Sequence, residues 1–142
     1  MSHHTLYERL GGGAAITAVV DDFVGRCAGD TRINGKFARS DVPRLKAKLV
    51  EQVSAATGGK VQYTGRTVSE THRGMQVTAG EFDALVEDLV ATLNKFGVPD
   101  VSQGQLLGIL GPLRGDIVEV ESSATGTPLP ETYQTAPPLA AV

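Results

Sequence analysis

GGKVQYTGRTVSETHRG, residues 58–74, carries the one histidine outside the N-terminal pair His3 and His4. It begins with a Gly58-Gly59 helix stop, passes a turn at Tyr63-Thr64-Gly65, and ends with His72 on a short polar segment. Long apolar helical patterns flank it. Before it, a helix begins near Asp41 with Pro43 in its first turn, and Leu45, Leu49 and Val53 fall on one face at a spacing of four. After it, Thr78 and Glu81 have capping-box spacing and open a helix with an apolar stripe of Phe82, Leu85, Val86, Leu89, Leu93 and Phe96. The segment is thus placed to present His72 to a cavity between two amphipathic helices.

The same periodicity continues outward. Thr5 and Glu8 cap a short first helix, which the glycines at 11–13 end. Ile16, Val19, Val20, Phe23 and Cys27 mark a helix over 14–27, and Asp30, Asn34 and Gly35 break it. Gly97 and Pro99 close the helix after His72. Ser102 and Gln105 predict the start of the last one, in which Leu106, Ile109, Leu110, Leu113 and Ile117 share a face and Pro112 predicts a bend. No segment alternates long enough to read as a strand. The class is all-α, with four substantial helices and several short ones.

The chain has 142 residues, enough for one domain with a real core. A 41% apolar and 20% charged composition fits a globular fold, and a net charge of -3 offers no electrostatic reason for nucleic acid or an anionic membrane as partner. No apolar run approaches the roughly 18 residues of a membrane span, so a cytoplasmic protein is expected. The single cysteine, Cys27, excludes an internal disulfide and a Cys-cluster metal site, and its apolar neighbours predict inert burial. After Val120 the sequence turns rich in Pro, Thr, Ser and Ala without a periodic face. We therefore expect a domain over 1–120 and a flexible tail over 121–142.

Two readings of His72 stay open from the residues alone. One is a surface or satisfied core imidazole, and the other is a metal ligand. A lone histidine cannot build a zinc site, whereas haem needs one strong protein ligand because the porphyrin supplies four nitrogens.

The chain resembles the truncated haemoglobins, group I among them, from roughly Thr5 to Val120. TLYERLGGGAAITAVVDDFVGRC is similar to the family's opening, RLKAKLVEQ to the start of its distal helix, and GGKVQYTGRTVSETHRG to the segment bearing the proximal histidine. LLGILGPLRGDI completes the order. The resemblance implies a two-over-two helical sandwich, with helices at 14–27 and 42–56 facing those at 79–96 and 102–120 around haem b. It implies His72 as the proximal iron ligand, Phe37 and Phe82 against the haem, and Tyr63 and Lys48 near its propionates. Diatomic gases, with an electron-donating reductase, are the implied partners, for a monomer or weak dimer.

On the distal side the chain departs from the family. Val24, which follows Phe23, stands where a tyrosine is usual, Leu49 where a glutamine is frequent, and Leu45 at the usual distal-histidine position. An apolar pocket predicts faster oxygen loss than in a typical member and weakens an assignment to NO dioxygenation. Lys48 is read as a propionate or solvent contact, with iron ligation as a sixth ligand the alternative. Gln52, one turn further, is either the missing hydrogen-bond donor or a rim residue. The expected function is reversible binding of O2, CO or NO, with oxygen transport its conservative form. The rivals are an NO-detoxifying or peroxidase-like redox role, a haem-based gas or redox sensor, and a haem-free helical binding module.

Overall fold

The computed structural model describes residues 5–38, 40–65 and 67–130; His3, His4 and residues 131–142 of the expected tail lie outside them. Helix α1 (Leu6–Arg9) opens with the expected capping box, the Thr5 hydroxyl accepting from the Glu8 amide at 3.1 Å. Helix α2 (Gly12–Gly29) buries Ile16, Val20, Val24 and Cys27 along one stripe. A 3-10 turn (Asn34–Phe37) leads to α3 (Val42–Ala56), whose N-cap Asp41 accepts from the Arg44 amide at 3.2 Å. Helix α4 (Val68–His72) is short, and α5 (Ala79–Lys95) starts at the Thr78–Glu81 capping box.

The last helical stretch differs from expectation at both ends. Helix α6 (Asp100–Leu110) starts at Asp100, two residues before Ser102, with Pro99 as its N-cap, and Ser102 is buried inside it. Asp100 in the first turn complements the helix dipole, and Pro99 needs no amide at a cap, so this start prevails over the Ser102–Gln105 pair. Pro112 breaks the helix outright. A 3-10 turn (Gly111–Leu113) separates α6 from α7 (Arg114–Ile117), because proline cannot donate to the helical ladder. The chain also forms strands that the sequence did not announce. Strand β1 (Val77–Thr78) pairs in parallel with β2 (Val118–Val120), too short for any alternation to be visible.

Helix α2 packs on both α3 and α5, α1 bridges α2 and α6, and α4 lies on α7. The result is two helix pairs, α2/α3 over α5/α6. Buried apolar residues form three clusters, centred on Leu6–Leu93–Leu106, Ile16–Val20–Val24 and Cys27–Ile33–Ala84. No helix among the described residues is long and apolar enough to cross a membrane.

Within the stretch expected as a tail, residues 122–126 make hydrogen bonds to the domain. The Ser122 carbonyl accepts from Gly80 N at 2.9 Å, Ala124 O from the Thr78 hydroxyl, and Arg32 O from Gly126 N at 2.6 Å. Polar backbone contacts of this kind need no apolar periodicity, so composition could not signal them.

One polar contact between α2 and α5 is strained. Arg32 binds the Asp30 carboxylate through Nε at 3.0 Å and a terminal nitrogen at 2.9 Å, which holds Asp30 well below the usual carboxylate range. Asp88 faces Asp30 and stands 3.9 Å from Arg32; its Oδ2 is buried without a hydrogen bond among the described residues. Burial, and then the neighbouring Asp30, pushes the Asp88 carboxyl up to about 6 from 3.8. The folded protein takes up this proton more readily than the unfolded chain does. The contribution of the Asp88 proton is therefore full below pH about 4 and lost as pH rises through about 6. Asp88→Asn supplies a permanent donor to Asp30. Its expected effect is a gain of about 1 kcal/mol at pH 7.5, a melting point a few degrees above wild type, which narrows at pH 4.5. A variant that melts below wild type at pH 7.5 contradicts this account.

Candidate functional site

A cavity of about 600 Å³ lies between the two helix pairs. All the residues singled out from the sequence line it: Phe23 and Val24 from α2, Phe37 from the 3-10 turn, Leu45, Lys48, Leu49 and Gln52 from α3, Tyr63 from the following loop, His72 from α4, and Phe82 from α5. Each buried core cluster contributes at least one wall residue, such as Leu106, Val20 or Cys27. The cavity is the place where the three clusters fail to merge.

The motif before His72 has a steric explanation. Gly58 adopts φ +99° and ends α3, and a Cβ on Gly59 would lie 2.7 Å from the Tyr7 ring and 2.9 Å from the Ser54 carbonyl. A Cβ on Gly65 would collide with the Tyr63 hydroxyl, so the tyrosine ring needs this glycine to fold as it does. Thr67 and Glu70 then form a capping box, with the Glu70 amide donating to Thr67 Oγ1 at 3.1 Å, and α4 starts there. The T-x-x-E pattern of Thr67 and Glu70 is the sequence signal for this start, which the reading of the short polar segment lacks.

His72 ends α4. Its Nδ1–H donates to the Val68 carbonyl at 2.8 Å, which assigns the proton to Nδ1 and leaves Nε2 with a lone pair. Burial depresses the ring's affinity for a second proton, against the opposing pull of Val68 and of the Glu119 and Asp116 charges, so the neutral ring is favoured. The turn behind it is clamped from both sides. The Glu119 carboxylate accepts from Gly74 N at 3.0 Å and Gln76 N at 2.8 Å, while Lys36 Nζ donates to Met75 O at 2.8 Å and Gln76 O at 3.3 Å.

Val24 of α2 and Leu45 and Leu49 of α3 line the cavity with apolar side chains. Lys48 lines the cavity, but its Nζ donates to Thr64 Oγ1 at 2.6 Å and stands 3.7 Å from Glu51 Oε2. Thr64 in turn donates its amide and hydroxyl to Glu51 at 2.9 and 2.7 Å, and these bonds, with the nearby Lys48 charge, hold that carboxyl below its usual range. Lys48 is thus part of a polar latch between α3 and the loop. The sequence reading missed Arg44 and Leu129, both wall residues. Arg44 lies one turn before Lys48 and was findable by that spacing; Leu129, in the expected tail, was not.

The lining fits a flat, largely apolar group. One imidazole with a free Nε2 faces an apolar space, Arg44 and Lys48 supply cations for anionic substituents, and no three metal-ligating side chains cluster among the described residues. A metal held here must bring its other ligands with it, as haem iron does.

Comparison with known proteins agrees with this geometry. Residues 5–119 match the bacterial-like globin family. The chain is 34% identical over 118 residues to the group 1 truncated hemoglobin GlbN of Mycolicibacterium paratuberculosis, covering 83% of this chain and 87% of that protein. It is 37% identical over 111 residues to GlbN of Synechocystis, covering 75% and 90%. The crystal structure of the truncated hemoglobin of Tetrahymena pyriformis in its Fe(III) form superposes with a TM-score of 0.78 at 30% identity, over 81% of this chain and 98% of that one.

Proposed function

This chain belongs to the bacterial-like globins, within the group 1 truncated haemoglobins, and from that premise we propose that its cavity holds haem b with His72 as the iron's protein ligand. The observation that carries the reading is the His72 ring itself: Nδ1 is committed to the Val68 carbonyl, and Nε2 is left free in the wall of an apolar cavity of about 600 Å³. When bound, haem supplies an iron centre that takes the diatomic gases O2, CO and NO.

The remaining residues divide by chemistry. Phe37, Phe82, Leu45 and Leu49 give the macrocycle apolar contact and keep water away. Tyr63, Arg44 and Lys48 meet its propionates. Around the gas, Phe23, Val24, Leu45 and Leu49 offer no hydrogen-bond donor, and Gln52 is the uncharged polar residue that α3 adds to the wall beside Arg44 and Lys48. A pocket with so few donors releases oxygen quickly. We infer a rim role for Lys48, because ligating the iron would require its amine to leave Thr64 and the Glu51 carboxylate. The setting we propose is the cytoplasm, with the chain monomeric or weakly dimeric and reduced by a separate electron donor.

Titration of haemin into the purified chain is expected to give a Soret band that saturates at one haem per chain. The ferrous, ligand-free spectrum is expected to be five-coordinate and unchanged in Lys48→Ala. Absence of the band overturns the haem reading. A six-coordinate spectrum that becomes five-coordinate in Lys48→Ala makes the lysine a ligand instead. Oxygen release from the same preparation, if slow, assigns a donor role to Gln52.

A further inference from the structure

Residues 121–130 are fastened to the domain by polar contacts and carry little apolar burial, most of them being exposed. Their anchor points are not scattered. Lys36 Nζ donates to the Pro128 carbonyl at 3.1 Å, and Lys36 immediately precedes the wall residue Phe37. Glu81 Oε2 accepts from the Thr127 amide and hydroxyl at 2.8 Å each, and Glu81 immediately precedes the wall residue Phe82. Lys36 and Glu81 are themselves a buried pair at 3.7 Å, 4% and 1% exposed. Gly80 lets the segment come close, because the Ser123 and Ala124 backbone fills the space that a Cβ would need. At the far end of these contacts Leu129 lines the cavity.

We propose that residues 121–130 form a clasp that completes the cofactor pocket through Leu129 and sets the rate at which the cofactor leaves. The inference rests on the haem reading given above. A segment held mainly by a few hydrogen bonds, with little apolar burial of its own, opens at a lower free energy than a packed helix, so it detaches without global unfolding. Each opening withdraws Leu129 from the wall and admits water beside Phe37 and Phe82. The helices, by contrast, are locked by the buried clusters and give no comparably cheap exit. Release of the cofactor therefore follows the population of the open clasp.

Haem transfer from the loaded protein to excess apomyoglobin, followed by the Soret shift, tests the clasp. A chain ended at Val120 keeps β2 and is expected to lose haem at least about tenfold faster than the full chain, the factor that corresponds to about 1.4 kcal/mol. Leu129→Ala is expected to release haem several-fold faster, and Thr127→Val, which removes one bond to Glu81, to fall between it and wild type. Thr127→Val leaves both His72 and the cavity wall untouched, so its equilibrium spectrum stays that of wild type, and circular dichroism reports that both point variants are folded. If the shortened chain does not fold, the point variants decide. Wild-type release rates in Leu129→Ala and Thr127→Val overturn the clasp while leaving haem binding intact. A full-length chain that takes up no haem overturns the haem reading instead.

Discussion

His72→Ala is expected to weaken haem affinity by about two orders of magnitude or more, because in the proposed site it deletes the coordinate bond from His72 to iron. The apolar wall remains, so haem still partitions into the cavity, but it does so without a fixed orientation and with a broadened, shifted Soret band. The variant protein itself is expected to fold. His72 is half-buried at the end of the five-residue α4, and its ring hydrogen-bonds to Val68 within that helix. His72→Gly sharpens the test, since added imidazole can enter the vacated space and restore the wild-type spectrum. An alanine variant with wild-type affinity and spectrum removes His72 from the site and leaves the cavity without a ligand.

The second large effect lies at Glu81. Its carboxylate accepts from Thr78 N at 3.0 Å and twice from Thr127 at 2.8 Å, and it faces the Lys36 ammonium at 3.7 Å in a region that solvent barely reaches. Glu81→Ala removes the α5 capping box, frees the Thr127 donors and leaves Lys36 buried with carbonyl partners alone. Breaking a buried pair from one side costs about 3–5 kcal/mol, which lowers the melting temperature by roughly 10 °C in a domain of this size. Burial already depresses the Lys36 pKa, with Glu81 opposing, so the amine in the variant sheds its proton more readily. The double variant Lys36→Met/Glu81→Leu is expected to lose less than Glu81→Ala, because no charge is stranded. Thermal melts of the three proteins decide the matter. A Glu81→Ala melt within a degree of wild type shows that the pair contributes nothing.

Most of the helices were legible because their burial follows a 3.6-residue period, as at Ile16, Val20, Val24 and Cys27 or at Leu45, Leu49 and Val53. Capping boxes at Thr5 and Thr78 set two starts correctly. The cavity wall was legible for the same reason, since residues on inward faces of facing helices converge on one space. Three features were not. Strands of two and three residues carry no period. The start of α6 pitted a serine–glutamine pattern against Pro99-Asp100, and the backbone restriction of proline prevailed. Glu81 read as a cap and nothing more, because its other partners, Lys36 and Thr127, lie 45 or more residues away. Sequence patterns report a residue's own element well and its distant polar partners poorly.

The division of the core into three clusters around a cavity has a consequence for the protein's life in the cell. A chain whose centre is filled by a bound group gains stability by mass action, in proportion to the logarithm of that group's free concentration over its dissociation constant. Copies made when haem is scarce occupy the unfolded state more often and are degraded sooner, since turnover tracks the open population. The stability of this chain is thereby expected to rise with haem supply: the same emptiness between the Leu6, Ile16 and Cys27 clusters that admits the ligand also governs how firmly the chain stays folded.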